Sequence, residues 1–404
     1  MKGNRFVYSS LLGLAALAFL ATEGKAAAFN SNYEGILSSG KMHYIVEDSA
    51  SYNFSQVDSL IIKAEQDSAF PGAVLLVGYN DKVVYHKAYG RYTYDKNSPV
   101  MTKETMFDLA SVSKVIGTTT AAMMLYDEGK LNLDEYVKFY LPEFGNNGKE
   151  NIKVRNLLLH NAGFTAWKPF YKKLRLKEEV IDSIMRDTLE YSIGEKYIYS
   201  DLGMITLQQI IERISGKPLN EFLNERVFAP LKMAHTMYAP PKELWKNCAP
   251  TEIDNYWRNK TMQGEVHDEA AYLLNGVAGH AGLFSTAADL SIFISMLRNG
   301  GVYENKPYIK RETIDNWTTV QNAEQSTRGL GWDTKSAEKS SAGHYFSMNS
   351  FGHTGFTGTS VWVDKDNGLF VILLTNRVYP TRNNSKLNSI RPKIHDAIFK
   401  AVIK

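Results

Sequence analysis

The spacing of apolar residues changes character twice along this chain, and those changes divide it into three parts. Behind Ser55, the residues Val57, Leu60, Ile61 and Ala64 recur at helical spacing, and Pro71-Gly72 ends the run. Ala73-Val74-Leu75-Leu76-Val77 is unbroken and apolar, as a strand covered on both faces would be. Asn80-Asp81 then predicts a tight turn and Val83-Val84-Tyr85-His86 the returning strand, with a further short strand expected at Met106-Phe107.

For about two hundred residues after this the period is helical. Leu157 to Gly163 predicts a helix closed by a glycine cap, and Met204 to Ile214 is an amphipathic run. Ser285 or Thr286 opens another helix, with Asp289 near its third position, and Asn299-Gly300-Gly301 closes it. The last eighty residues return to strand character. Candidates are Leu330-Gly331-Trp332, His344-Tyr345-Phe346, Gly358 to Val363 and Leu369 to Leu374, with a turn at Asp366-Asn367-Gly368. A helix over Ile394 to Ile403 closes the chain. Strands at both ends around a helical middle predict an α+β fold. One antiparallel sheet is built from the two ends (55–110 and 325–404), flanked by helices, and a helical lobe (111–324) is inserted between them.

The first residues add a localisation. Lys2 and Arg5 precede a mostly apolar run from Phe6 to Leu20, and Ala26-Ala27-Ala28 offers a small-residue cleavage site. This is the layout of a secretory signal over 1–28, followed by a polar lead-in over 29–54 and a folded domain over 55–404. The expectation is a periplasmic or secreted protein with no stable membrane insertion once the signal is removed. Losing Lys2, Arg5, Lys25 and Glu23 lowers the formal charge from +3 to +1, which leaves no basic footprint for nucleic acid. Cys248 is the only cysteine, so no intrachain disulfide is possible, and a packed thiol is the expected state.

The candidate chemistry begins at Ser111-Val112-Ser113-Lys114, where a short apolar entry runs into helix. Residues three apart share a helix face, which predicts the Ser111 hydroxyl beside the Lys114 amine. An amine kept neutral by burial is able to take a serine proton. Ser38 to Lys41 and Ser336 to Lys339 repeat the spacing, but in polar stretches that read as loops. Gly264 to Glu269 groups His267 with acidic residues. Consecutive positions converge poorly on one ion, so a loop bordering the cleft is the better expectation.

Ser111-Val112-Ser113-Lys114, Tyr199-Ser200-Asp201 and His353-Thr354-Gly355, in that order, resemble the serine β-lactamase and penicillin-binding-protein superfamily. The likeness is to its branch of class C-like β-lactamases, DD-peptidases, D-aminopeptidases and esterases, and extends from about Ser55 to the C-terminus. The resemblance implies Ser111 as the nucleophile, Lys114 as the amine assisting its deprotonation, and Tyr199 as the phenolate that shuttles protons. It further implies the N–H groups of Ser111 and Phe356 as oxyanion donors, with Asp201, His353, Thr354 and Gly355 at the substrate. No metal or organic cofactor is implied. The substrates implied are small molecules or peptides, with D-amino-acid peptides of peptidoglycan among them. Asp201 stands where many relatives have Asn, and His353 where most have Lys. A carboxylate cannot donate as an amide does but can balance a cation, with Lys114 its natural neighbour, and histidine carries little charge at pH 7. Both changes favour ester or amide hydrolysis over β-lactam turnover. An acyltransferase, a β-lactamase or a non-catalytic ligand-binding module of the same fold are the alternative readings.

Overall fold

The computed structural model describes residues 52–403; the expected signal sequence and most of the expected lead-in lie outside this range. Helix α1 (Ser55–Gln66) precedes strands β1 (Gly72–Tyr79) and β2 (Lys82–Gly90), and the short β3 (Phe107–Asp108) leads to Ser111. A π-helical turn over Lys114–Thr119 runs into α2 (Thr120–Asp127). The middle contributes α3 (Asp201–Ser215), β4 (Met237–Tyr238), β5 (Leu283–Ser285) and α4 (Ala287–Arg298). The final part holds β6 (Asp333–Thr334), β7 (Phe351–Thr354), β8 (Ser360–Asp364), β9 (Leu369–Thr375) and α5 (Leu387–Val402).

The main sheet has the order β6-β7-β8-β9-β1-β2 and is antiparallel throughout, so the two chain ends meet at the β9–β1 pairing. Alternation sends successive side chains of a strand to opposite faces. Ala73, Leu75 and Val77 of β1 and Leu369, Val371 and Leu373 of β9 pack with residues of α1 and α5, such as Ile61 and Ile398. Val74, Leu76, Phe370, Ile372 and Leu374 join the larger core with α2, α3 and α4. Both faces are therefore covered, which is why these strands read as unbroken apolar runs. Thr286 caps α4 by accepting the Asp289 N–H at 3.2 Å.

Four expectations are corrected. The strand before Ser111 belongs to a separate three-stranded sheet, β3-β5-β4, not to the main one. The helix near Leu157 spans Val154–Leu158 and stops before Gly163, whose φ of +97° serves a later turn. Leu330-Gly331-Trp332 and His344-Tyr345-Phe346 are irregular, and the pairing strands are β6 and β7 instead. The closing helix starts at Leu387, with Pro392 inside it.

Candidate functional site

Ser111 is aimed by the backbone before it. Ala110 holds a left-handed φ of +46°, a conformation that costs a β-carbon residue about 1 kcal/mol. The buried Asp108 carboxylate compensates. One oxygen accepts the Ala110 N–H at 2.8 Å and the other accepts the His267 N–H at 2.7 Å. The turn after β7 is tied to the same strand, because Thr357 Oγ1 donates to the Asp108 carbonyl at 2.7 Å and Thr359 Oγ1 to that of Leu109 at 2.9 Å. Gly355 is required by this approach, since a β-carbon there would sit 2.3 Å from the Leu109 carbonyl oxygen. The loop carrying Phe356 is thus clamped against the residues that lead into Ser111. Among the described residues, neither the Ser111 nor the Phe356 backbone N–H has a protein acceptor.

Ser111 is partly exposed, while Lys114 behind it is 0% exposed. The Lys114 Nζ donates to Ser111 Oγ at 3.0 Å and to the His280 carbonyl at 2.9 Å, and pairs with Asp201 Oδ1 at 2.8 Å. Burial, the largest influence, pushes the Lys114 pKa down. The Asp201 carboxylate, with Tyr199 beside it, outweighs this, and the net shift is upward. The neutral amine expected from burial alone is therefore replaced by an ammonium–carboxylate pair. Asp201 heads α3, where its backbone N–H donates to the Ala166 carbonyl at 3.0 Å.

Tyr199 lies against this pair, with its ring centroid 4.8 Å from Lys114 Nζ. The His160 ring packs on it at 4.6 Å, and His160 Nδ1 accepts the Ser200 N–H at 3.1 Å, fixing the segment. The Tyr199 hydroxyl is buried and has no hydrogen-bond partner among the described residues. His353, at the end of β7, lies 5.9 Å from Tyr199 ring to ring. Its Nδ1 donates to the Thr354 carbonyl at 2.8 Å, and its Nε2 accepts from Arg328 Nη1 at 3.0 Å. Burial, then the charges of Arg328 and Lys114, hold its pKa well below the usual histidine range, so it is neutral.

The structure thus gathers Ser111, Lys114, Tyr199, Asp201, His353, Thr354, Gly355 and Phe356 at one place. Phe356 is 48% exposed and its ring stacks on His267 at 5.6 Å. Sequence reasoning missed Asp108 and Arg328. Asp108 had a local signal, a carboxylate two residues before an Ala that needs its N–H held. Arg328 lies 25 positions from its partner His353, and no spacing rule links them.

The Gly264–Glu269 stretch borders this site without converging on one point. Glu265 pairs with Lys260 at 2.6 Å, Asp268 with His280 at 2.7 Å, and Glu269 with Arg382 at 2.9 Å. Asp201, Asp268 and His280 place ligand-type atoms within 4.8 Å of one another, but the Lys114 ammonium already holds the Asp201 carboxylate.

A family model described as Beta-lactamase matches residues 57–392. An N-acetylmuramyl-L-alanine amidase of Bacillus subtilis is 35% identical over 359 residues, covering 80% of this chain and 80% of its own. A protein of Escherichia coli K12 provisionally named D-alanyl-D-alanine carboxypeptidase is 31% identical over 380 residues, covering 84% of this chain and 87% of its own. Among solved structures, EstCE1, a hydrolase with promiscuous acyltransferase activity, aligns with a TM-score of 0.68 at 22% identity. It covers 85% of this chain and 97% of the other, a likeness of fold alone.

Proposed function

The chain belongs to the beta-lactamase family, whose relatives carry carboxypeptidase and amidase names, and from that premise we propose an exported serine hydrolase acting through a Ser111 acyl-enzyme on cell-wall peptide amides or related esters. One observation carries the reading. A partly exposed hydroxyl accepts from a fully buried ammonium at 3.0 Å, beside a phenol whose hydroxyl has no partner among the described residues.

With Lys114 already protonated through Asp201, the Ser111 proton goes to the Tyr199 oxygen. Ser111 Oγ then bonds to the carbonyl carbon, and the new oxyanion receives the Ser111 and Phe356 N–H groups. Collapse breaks the bond to the amine or alcohol, which leaves with the proton from Tyr199. Water attacks the resulting ester, Tyr199 accepts its proton and returns it to Ser111 Oγ, and the acid is released. Lys114 stays charged throughout, over the Tyr199 ring at 4.8 Å.

Two features support amide or ester substrates over β-lactams: residue 353 is a neutral histidine, and residue 201 is a carboxylate that only accepts. The test is a substrate panel of N-acetylmuramyl-L-alanine, a D-alanyl-D-alanine peptide, p-nitrophenyl esters and nitrocefin. Turnover of a muramyl amide or D-alanyl peptide above the others supports the proposal. Nitrocefin as the best substrate by far would refute the β-lactam discount. An acyl-enzyme trapped by added amines faster than by water would make the protein an acyltransferase.

A further inference from the structure

Arg328 reaches the site from a segment that belongs to the helical core. The Leu330 N–H donates to the Trp317 carbonyl at 2.9 Å, and the Gly331 N–H to that of Leu158 at 3.0 Å. Gly331 packs against Thr119, where a β-carbon would lie 2.3 Å from the Thr119 hydroxyl, so the segment has one seat. From this base the Arg328 guanidinium covers the Tyr199 ring at 5.2 Å and the Tyr197 ring at 5.8 Å. It pairs with the Asp333 carboxylate at 3.4 Å.

The contact with His353 runs in a single direction. His353 keeps its own proton on Nδ1, spent on the Thr354 carbonyl, and so offers Arg328 only the Nε2 lone pair. The ring holds the guanidinium in place without adding charge. A guanidinium stays protonated at every pH at which the protein is folded, unlike an imidazole.

Resting on the acyl-enzyme reading, we propose that Arg328 is a positioning residue that supplies the Tyr199 phenol with the permanent positive charge that residue 353 lacks, while His353 seats it. A second cation over the Tyr199 ring, together with Lys114, offsets the negative charge that proton transfer through Tyr199 places on its oxygen. Among the described residues the groups facing Arg328 are Asp333, Tyr197, Tyr199, His353 and His160, and of these Asp333 opposes the effect at neutral pH.

The decisive experiment moves the charge. Rates of Ser111 labelling by a fluorophosphonate, kcat and KM on a p-nitrophenyl ester, and thermal midpoints are measured for R328Q, R328K, H353K and the double variant R328Q/H353K. R328Q should lose about 100-fold in labelling rate and kcat with KM changed less than about threefold. H353K alone should also fall, since it sets two cations against each other in a buried site. The double variant, with one cation again, should recover to within about tenfold of wild type. R328K keeps the charge and should stay within about tenfold of wild type, which serves if R328Q does not fold. Labelling of folded R328Q at the wild-type rate would overturn the proposal. So would a folded double variant no better than its worse parent, or a folded R328K as inactive as a Ser111→Ala protein. Failure of wild-type protein to label on Ser111 would instead remove the acyl-enzyme reading beneath it.

Discussion

Two clusters of the same three ingredients, a cation, carboxylates and a tyrosine, lie on either side of the turn that follows β7. In the first, Lys114 and Asp201 pair at 2.8 Å and the Tyr199 hydroxyl has no partner among the described residues. In the second, Arg382 bridges Glu252 at 2.7 Å and Glu269 at 2.9 Å, and Tyr256 donates to Glu269 at 2.5 Å. His267 Nε2 closes that network on Glu252 at 2.9 Å. Every member of the second cluster is satisfied, and its loops are locked together. The first keeps one buried polar atom unspent, next to a partly exposed hydroxyl. A satisfied network stiffens, whereas an unpaired buried group costs stability and persists where chemistry uses it.

The sharpest way to break this contrast is to remove the same atom from each cluster. Tyr199→Phe should lower kcat/KM by about 1,000-fold, since proton transfer by one group contributes on that scale. It should leave the thermal midpoint nearly unchanged, because no hydrogen bond is lost. Tyr256→Phe should do the reverse, costing about 1 kcal/mol in chemical denaturation and leaving kcat/KM within about threefold. Equal activity losses from the two variants would erase the distinction.

Arg382→Ala should be the more damaging change to stability, by about 3 kcal/mol, because it takes the shared cation from two buried carboxylates and leaves His267 and Tyr256 as their side-chain partners. Urea unfolding measures this, and a loss under 1 kcal/mol would mean that the network is not clamping the loops.

The smallest expected effect is in acid. Burial pushes the Glu252 pKa up, but hydrogen bonds from His267 and Arg382 outweigh it and hold the group at about 2, against an unfolded value of 4.5. A depressed carboxylate stabilises the fold above its unfolded pKa, and that contribution fades as pH falls from 4.5 towards 2. Glu252→Gln should therefore flatten the fall of the thermal midpoint across that window. An unchanged slope would place the acid sensitivity elsewhere.

How far the sequence reached follows the same division between local and distant causes. The strands β1 and β9 were legible because burial on both faces leaves an unbroken apolar run. The Ser111–Lys114 neighbourhood was legible because three residues on a helix are a fixed distance. The π-helical turn that follows Lys114 was not, since no local pattern marks it. The last helix was expected only from Ile394, two residues after Pro392. The helix nonetheless begins at Leu387, whose burial with Arg391 and Ile394 offsets the lost backbone hydrogen bond. Burial argued for a neutral Lys114, while the carboxylate at position 201, read as its natural neighbour, pointed to the pairing the structure holds at 2.8 Å. Arg328 was invisible because no motif or spacing ties it to Tyr199 or His353.

The account depends on one oxygen atom, and intact-mass spectrometry of the protein after exposure to a fluorophosphonate probe tests it most directly. A single adduct mapping to the peptide that carries Ser111, absent from a folded Ser111→Ala protein, is the predicted result. An adduct of equal yield in that variant, or one mapping to another residue, would contradict it.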